Sequence, residues 1–356
     1  PMELLACFDE QPGNKALGVD GISKVDYEVD VVARIKTLSG RLKSLSYRPK
    51  PSRRVYIPKA DGKLRPLGIP TVKDRVVQAA LVVLLQPIFE ADFHEDSYGY
   101  RPGRSAHQAV RAICETVFKG RREVVDADLS GYFDTIPHAA LLKEVARRVS
   151  DGSILRLVKL FLKAPIVEEK DGKRRITPNQ SGTPQGGNLS PLLANIYLND
   201  LDHKVNEDPR LEARLVRYAD DMVILCRPGN GPAIYHRLKA YLERRGLKLN
   251  EAKSRCLNAE QEGFRFLGFE ITWRHSRFTG RPFTHVEPSH KAQTAFRDAI
   301  RRELEAPARL SRACRRVHTH ARACVCVCVR ETERVCVCAC GWSMRVIWLT
   351  IERPHT

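Results

Sequence analysis

The 356-residue chain carries 60 Lys and Arg against 42 Asp and Glu, a formal net charge of +18, with 43% hydrophobic and 29% charged residues. This is the composition of a soluble globular protein with room for one to three domains. Its positive potential selects polyanionic partners. Nucleic acid is the first of these; no basic amphipathic helix of the membrane-surface kind is visible, so no membrane partner is expected. The longest apolar stretch, Val76 to Leu85, is interrupted by Gln78 and followed by Pro87, which excludes a bilayer-spanning helix there. PMELLACF lacks the basic lead and apolar length of a secretory signal. Pro1 ahead of Met2 leads us to expect a fragment. Cys7, Cys114, Cys226 and Cys256 are scattered without a pairing pattern, as in a reduced cytosolic protein.

In chain order, residues 22–48 show helical periodicity, with Val31, Val32, Ile35, Leu38 and Leu42 as the apolar stripe. RRVYIPK and KLRPLGIP flank Asp61-Gly62, a strong hairpin signal. Thr71 and Asp74 predict a capped helix ending near Pro87. SYGYRPGRS is a loop leading into a helix from His107 to Val117. EVVDADL predicts a short strand with Val125, Ala127 and Leu129 on one side and Asp126 and Asp128 on the other. Helices follow at about His138 to Arg148 and Leu155 to Leu162. GTPQGGNLSPLLANIYLNDL predicts a glycine loop and a helix with Ser190 as N-cap and Pro191 in the first turn. ARLVRYADDMVILC predicts two strands around a tight turn, then a helix from Ile234 to Arg245 and a final strand, FRFLGFEIT. Strand, helix, hairpin, helix, strand is an α+β order: an antiparallel sheet with helices packed on one face.

Asp128, Asp220 and Asp221 carry the chemical reading. Asp220 and Asp221 fall at the tip of a hairpin with apolar arms, and Asp128 on the polar side of a strand. Carboxylates so placed gain no packing energy and repel one another unless a cation joins them. Two Mg²⁺ ions, about 3.5–4 Å apart, would activate a 3′-hydroxyl and neutralise a leaving pyrophosphate. Taken alone, however, Asp-Asp at a hairpin tip reads better as a plain turn, where acidic residues are common.

The surrounding residues decide between these. YADD at 218–221 resembles the signature hairpin of reverse transcriptases, and DLSGYFD at 128–134 the strand carrying their other metal ligand. GTPQGGNLSPLLANIYL at 182–198 is similar to the loop and helix that support template and incoming nucleotide. GVDGI at 18–22, YIPKADGKLRPLGIP at 56–70, DRVVQAAL at 74–81, SYGYRPGRSAHQA at 97–109 and FLGFEI at 266–271 narrow the resemblance to group II intron enzymes and their bacterial relatives. These motifs stand in the family's order over about residues 10–300. GTPQGG is no ATPase loop, since no GK[ST] follows.

The resemblance implies a right-hand polymerase: fingers with an N-terminal extension over 1–120, a palm over 121–280 with an insertion at about 140–187, and the start of an incomplete thumb over 281–310. It implies an RNA-directed DNA polymerase that uses two Mg²⁺ ions, with Mn²⁺ as an alternative. Its partners would be an RNA template, a DNA primer, deoxynucleoside triphosphates and intron RNA. Asp128, Asp220 and Asp221 match the metal-binding carboxylates, and Asp126 and Asp134 do not. Phe133 matches the steric gate that crowds a ribose 2′-hydroxyl. Lys59 and Arg65 match the residues that clasp the triphosphate, with Lys63 a rival. Gln185, beside Gly186 and Gly187, matches the nucleotide–template contact. Lys253 resembles a lysine near the primer, Arg101 and Arg104 are candidates for template phosphate, and His138 is expected to be structural. The expected setting is the bacterial cytoplasm, with mitochondrion or plastid as alternatives. The competing readings are a splicing maturase that no longer uses its polymerase site, and a domesticated bacterial reverse transcriptase. A helper freed from catalysis tends to lose the carboxylate trio, and all three are present.

VEPSHKAQTAFRDAIRRELE at 286–305 resembles the entry to the thumb, after which the resemblance ends. Seven of the 11 cysteines fall between Cys314 and Cys340. The CXC spacing of Cys324, Cys326 and Cys328 could be a metal cluster. However, HTHARACVCVCVRETERVCVCAC is also what repeated AC, TG and AG dinucleotides translate to. Residues 311–356 are therefore expected to be low-complexity, non-native sequence. Cutting the chain after about residue 310 should leave the thermal unfolding midpoint almost unchanged. A large drop in a calorimetric scan of the shortened chain would show that the tail packs on the body.

Overall fold

The computed structural model describes residues 1–58, 62, 64–170, 173–305, 324–330, 333–338 and 345–348. The chain divides into two compact units, Pro1–Val286 and Glu287–Thr356. Lys59 and its rival Lys63, both expected at the triphosphate, lie outside the described residues.

Three helices open the first unit: α1 (Met2–Asp9), α2 (Lys24–Glu28) and α3 (Val31–Lys43). The stripe predicted over 22–48 is thus cut in two, with a Ser23–Asp26 capping box starting α2. On α3, Ile35 and Leu38 are buried but Val32 faces out, since it lies about 100° around the helix from Val31. β1 (Ser52–Pro58) and β2 (Leu64–Ile69) pair antiparallel, from Arg53 opposite Ile69 to Pro58 opposite Leu64. α4 (Val72–Glu90) starts where Thr71 Oγ1 accepts the Asp74 N–H at 3.2 Å. It does not end near Pro87 as expected. The N–H that proline lacks would have met the carbonyl of exposed Val83, while Leu85 and Phe89 stay buried and carry the helix on.

α5 (Ala106–Phe118), capped by Ser105 and Gln108, leads into β3 (Glu123–Ala127). α6 (Tyr132–Thr135), α7 (His138–Ala146) and α8 (Gly152–Leu162) follow. β4 (Ile166–Lys170) and β5 (Lys173–Thr177) form a hairpin that no alternation announced. It joins β1 through a parallel pairing of Ser52 with Ile166, giving the sheet order β2-β1-β4-β5.

α9 (Ser190–Asn206) corrects the expected cap: Leu189 is the N-cap, and Ser190 Oγ instead donates to the Pro184 carbonyl at 2.8 Å. β6 (Arg214–Tyr218), β7 (Asp221–Cys226), α10 (Gly231–Arg244) and β8 (Arg255–Asn258) come next. FRFLGFEIT, expected as one strand, is a hairpin of β9 (Phe264–Phe266) and β10 (Phe269–His275). Leu267 and Gly268 take φ of 48° and 82°, the positive pair that a two-residue turn needs. β11 (Pro282–Pro288) extends this sheet. The second unit contains α11 (His290–Glu305) and an antiparallel meander of β12 (Cys324–Arg330), β13 (Glu333–Cys338) and β14 (Arg345–Trp348). No helix among the described residues is long and apolar enough to cross a membrane.

The central sheet, ordered β6-β7-β3-β8, is antiparallel throughout. Val125, Ala127, Leu215 and Ile224 join the core with α7, α9 and α10 on one face. The α+β class expected from the sequence therefore holds. The other face is covered too, since Val124, Val216, Val223 and Leu225 pack with α5 and the β9–β10 hairpin. Burial on both faces explains why β6 and β7 read as nearly unbroken apolar runs.

The most deeply buried cation among the described residues lies here. Arg217 on β6 is 0% exposed. Its Nε and Nη2 donate to the Asp202 carboxylate of α9 at 2.8 and 2.5 Å. Nη2 also donates to Ser97 Oγ at 2.8 Å, and Nη1 to Asn195 Oδ1 at 2.8 Å and to the Ala219 carbonyl at 2.9 Å. Every guanidinium N–H is thereby satisfied. Removing one partner would strand the other charge in the core. Arg217→Met should therefore cost about 3–5 kcal/mol of stability, measured by urea unfolding. A loss below about 1 kcal/mol would mean that water reaches the site.

Candidate active site

The tip of the β6–β7 hairpin carries Asp220 and Asp221, with Tyr218 opposite Asp221. Between them Ala219 takes φ 59°, a left-handed conformation uncommon for alanine. Two contacts hold it there. Arg217 Nη1 takes its carbonyl, and the SYGYRPG loop lies flat against its amide. A Cβ added at Gly99 would come 2.3 Å from the Ala219 nitrogen, so only glycine fits. Asn195 Nδ2 donates to the Gly99 carbonyl at 2.7 Å and fixes the loop from below.

Asp128 stands one residue past β3. The β3–β7 register pairs Ala127 with Met222, and its continuation sets Asp128 level with Asp221. The Asp128 N–H donates to Ser254 Oγ at 3.0 Å, and its carbonyl accepts the Asn250 N–H at 2.8 Å. Its carboxylate Oδ2 accepts Asn250 Nδ2 at 3.0 Å and lies 3.7 Å from Lys253 Nζ.

A cavity of about 720 Å³ opens over these carboxylates. It brings together Asp128, Asp220, Asp221, Arg65, Phe133, Gln185 and Lys253. Tyr100, Asn250 and Leu267 line it too, and the sequence reading had not singled them out. Asn250 had a signal, since it opens the NEAKS segment read for its lysine alone. Leu267 had none, because a turn inside an apolar strand pattern is invisible to periodicity.

Arg65, Gln185 and Phe133 are set by backbone lacing. The Gly68 N–H of β2 donates to the Gln185 carbonyl at 2.6 Å, and at Gly186 (φ 110°) an added Cβ would meet the Gly68 carbonyl at 2.8 Å. This stitches the GTPQGG loop to the strand that carries Arg65. The Thr183 N–H donates to the Phe133 carbonyl at 2.6 Å, and the half-buried Phe133 ring packs edge-on against Tyr132. His138 is buried with Nε2 2.8 Å from the Gly182 carbonyl, the structural place expected of it.

Arg101 requires a correction. Its side chain is buried, bonded to the Glu90 carboxylate at 2.9–3.1 Å and to the His94 and Ser97 carbonyls at 2.7 Å. A guanidinium with its donors used internally cannot reach template phosphate. Arg104 is exposed, its guanidinium 5.7 Å from the Tyr98 ring centre.

The cavity floor is strongly negative. Burial first, then the Asp220, Asp128 and Asp126 carboxylates, push Asp221 up to about 6 against a small opposing pull from Arg65. Burial likewise raises Asp126, with Arg255 opposing. A divalent cation is what such a cluster would take up, and hard carboxylate oxygens without thiolate or imidazole suit an Mg²⁺-type ion. No three His, Cys, Asp or Glu side chains among the described residues converge into a ready-made cage. The two observations are compatible, because an ion that keeps waters and takes substrate phosphates needs few protein ligands.

The family described as "Reverse transcriptase (RNA-dependent DNA polymerase)" matches residues 57–271. The chain is 35% identical over 313 residues to Protein YkfC of Escherichia coli, covering 78% of this chain and 81% of that protein. It is 32% identical over 327 residues to the group II intron-encoded protein LtrA of Lactococcus lactis, covering 74% of this chain and 54% of LtrA. The chain thus spans about half of LtrA's length. Among solved structures, the apo telomerase of Candida tropicalis truncated from its C-terminal domain superposes with a TM-score of 0.53 at 15% identity. It covers 67% of this chain and 55% of that one, and shows a shared fold. With its carboxylates gathered under one cavity and the family matched across its body, the chain belongs to the reverse transcriptases, of the group II intron type.

Proposed function

We propose that this chain extends a DNA primer on an RNA template at the cavity above Asp128, Asp220 and Asp221. The carrying observation is that one cavity unites these carboxylates with Arg65, Phe133 and Gln185, residues that come from separate stretches of sequence. Asp128, Asp220 and Asp221 would hold two Mg²⁺ ions, with Mn²⁺ as a substitute. When bound, the ions supply activation of the primer 3′-hydroxyl and neutralisation of the leaving pyrophosphate. Arg65 offers the triphosphate a forked cation. Gln185, held to β2 through its carbonyl and the close Gly186–Gly68 contact, is offered to the nucleotide–template pair. Phe133 crowds the 2′ position, and Lys253 and Arg104 are offered to nucleic-acid phosphate. Lys59 completes the triphosphate clasp in this reading. Fingers over 1–120, palm over 121–280 and thumb entry over 281–310 are the corresponding divisions. LtrA, by name an intron-encoded protein, supports intron RNA as a further partner, and the two bacterial relatives support a cytoplasmic setting.

Two experiments test this. Asp220→Ala should abolish Mg²⁺-dependent extension of a DNA primer on an RNA template while the circular dichroism spectrum and melting midpoint persist. Near-normal extension by that variant would sink the assignment. The second concerns sugar choice. Phe133→Ala or Phe133→Val should raise incorporation of ribonucleotides relative to deoxynucleotides in direct competition, because the 2′-hydroxyl gains room. An unchanged ratio would make Phe133 a packing residue.

A further inference from the structure

Asp128 differs from the other two carboxylates in how it is held. Asp220 and Asp221 ride on a rigid hairpin braced by Arg217 and Gly99. Asp128 lies beyond the end of its strand, where the β3–β7 pairing has stopped, and it leads into the Ser130–Gly131 turn. Left to itself, a carboxylate there would sample several rotamers.

A single turn, residues 250–254, takes over from the strand. Leu129 and Leu249 form an isolated antiparallel bridge, and both are buried in the main core. The Ser130 N–H donates to the Lys248 carbonyl at 2.9 Å. The same turn then grips Asp128 at its amide through Ser254, at its carbonyl through the Asn250 N–H, and at Oδ2 through the Asn250 side chain. The turn is itself closed by Asn250, whose carbonyl accepts the Lys253 and Ser254 N–H groups at 3.0 and 2.8 Å. Asn250 therefore bonds Asp128 with both its backbone and its side chain. Its amide donor takes Oδ2 alone, which orients the carboxylate while leaving the other oxygen for a further ligand. The donor is neutral, so it orients without cancelling the charge that a cation needs.

We infer that Asn250 is a positioning residue for the catalytic carboxylate Asp128: its side-chain amide fixes the Asp128 rotamer in the cavity and thereby sets the affinity for a divalent cation. Lys253, 3.7 Å from the same oxygen, is exposed and long, so it can leave for a phosphate. Asn250 is half-buried and short, so it stays with Asp128 whether or not substrate is bound.

This inference rests on the polymerase reading, and the test separates the two. Mn²⁺ is titrated into the full chain without nucleic acid, with free Mn²⁺ read by electron paramagnetic resonance. Primer extension is followed in parallel against Mg²⁺ concentration, and the melting midpoint is recorded for each variant. Asn250→Ala should weaken Mn²⁺ binding about 10–100-fold, the range for removing a residue that orients a metal ligand. It should raise the half-saturating Mg²⁺ concentration correspondingly, with extension recovering in part at high Mg²⁺. Asn250→Gln, which keeps the amide donor, should retain more Mn²⁺ affinity than Asn250→Ala. Unchanged Mn²⁺ affinity in Asn250→Ala, even with lowered extension or a lowered melting midpoint, would make Asn250 a turn residue only and overturn the inference. Equal losses in the alanine and glutamine variants would overturn it as well. If the unsubstituted chain neither binds Mn²⁺ nor extends a primer, the polymerase reading itself fails. If it does both and Asn250→Ala matches it, the inference fails alone.

Discussion

The buried ion pair of Arg217 and Asp202 is the constraint on which the rest of the site depends. A guanidinium with 0% exposure is tolerated only if every donor is matched, because an uncompensated charge in a low-dielectric core costs several kcal/mol. Here the partners come from α9 (Asp202, Asn195), from the loop before α5 (Ser97) and from the β6–β7 turn (Ala219). Satisfying one side chain therefore docks three separate pieces of chain against the end of β6. The functional result is that Ala219 keeps its left-handed backbone and the two carboxylates after it keep their place.

Glycine does the corresponding work where backbones meet. Gly99 lies against the Ala219 amide, Gly182 against the Phe133 carbonyl, and Gly186 against the Gly68 carbonyl. At each point a methyl group would overlap backbone, which cannot give way as a side chain could. The contacts fall between the pieces that bear Asp220, Phe133 and Arg65. Close approach of main chain, rather than packing of large side chains, thus sets the width of the cavity. A site built this way is rigid in its walls and leaves its functional side chains at the surface of those walls.

The electrostatics are arranged in opposition. The chain as a whole is strongly basic, which suits a polyanionic partner, yet its central cavity gathers acidic groups until Asp221 rises to about 6. Arg65 and Lys253 line the same cavity as these carboxylates, and Lys253 Nζ lies 3.7 Å from Asp128 Oδ2. In the proposed reading, such an arrangement would draw phosphates toward the cavity while leaving its carboxylates for a cation. Asp128 lies past the end of its strand and is held by hydrogen bonds with Asn250 and Ser254. That is why a short asparagine from a distant turn matters to it.

Much of this was legible before any coordinates. Alternation in EVVDADL put Asp126 and Asp128 opposite the apolar positions, the YADD run placed two carboxylates on a turn, and the motif order pointed to the family. These are local signals, carried by residues within a few positions of one another. Other features were misread or missed. Pro87 inside a continuing helix, Leu189 in place of Ser190 as a cap, FLGFEI as a hairpin and the β4–β5 hairpin all depended on what packed against them. Arg101 looked like a phosphate ligand until Glu90, 11 positions away, proved to hold it. Asn250 drew no attention because its partner, Asp128, lies 122 residues earlier. The sequence by itself determined the strand alternation, the turn at Asp220 and Asp221 and the set of residues available for chemistry, since each follows from the backbone preferences of neighbouring residues. Only the tertiary structure decided which of those residues share a cavity, which cations are consumed in the core and which neutral side chain orients a carboxylate. Those outcomes depend on burial and on hydrogen bonds between residues that only the folded chain brings within 3 Å of one another.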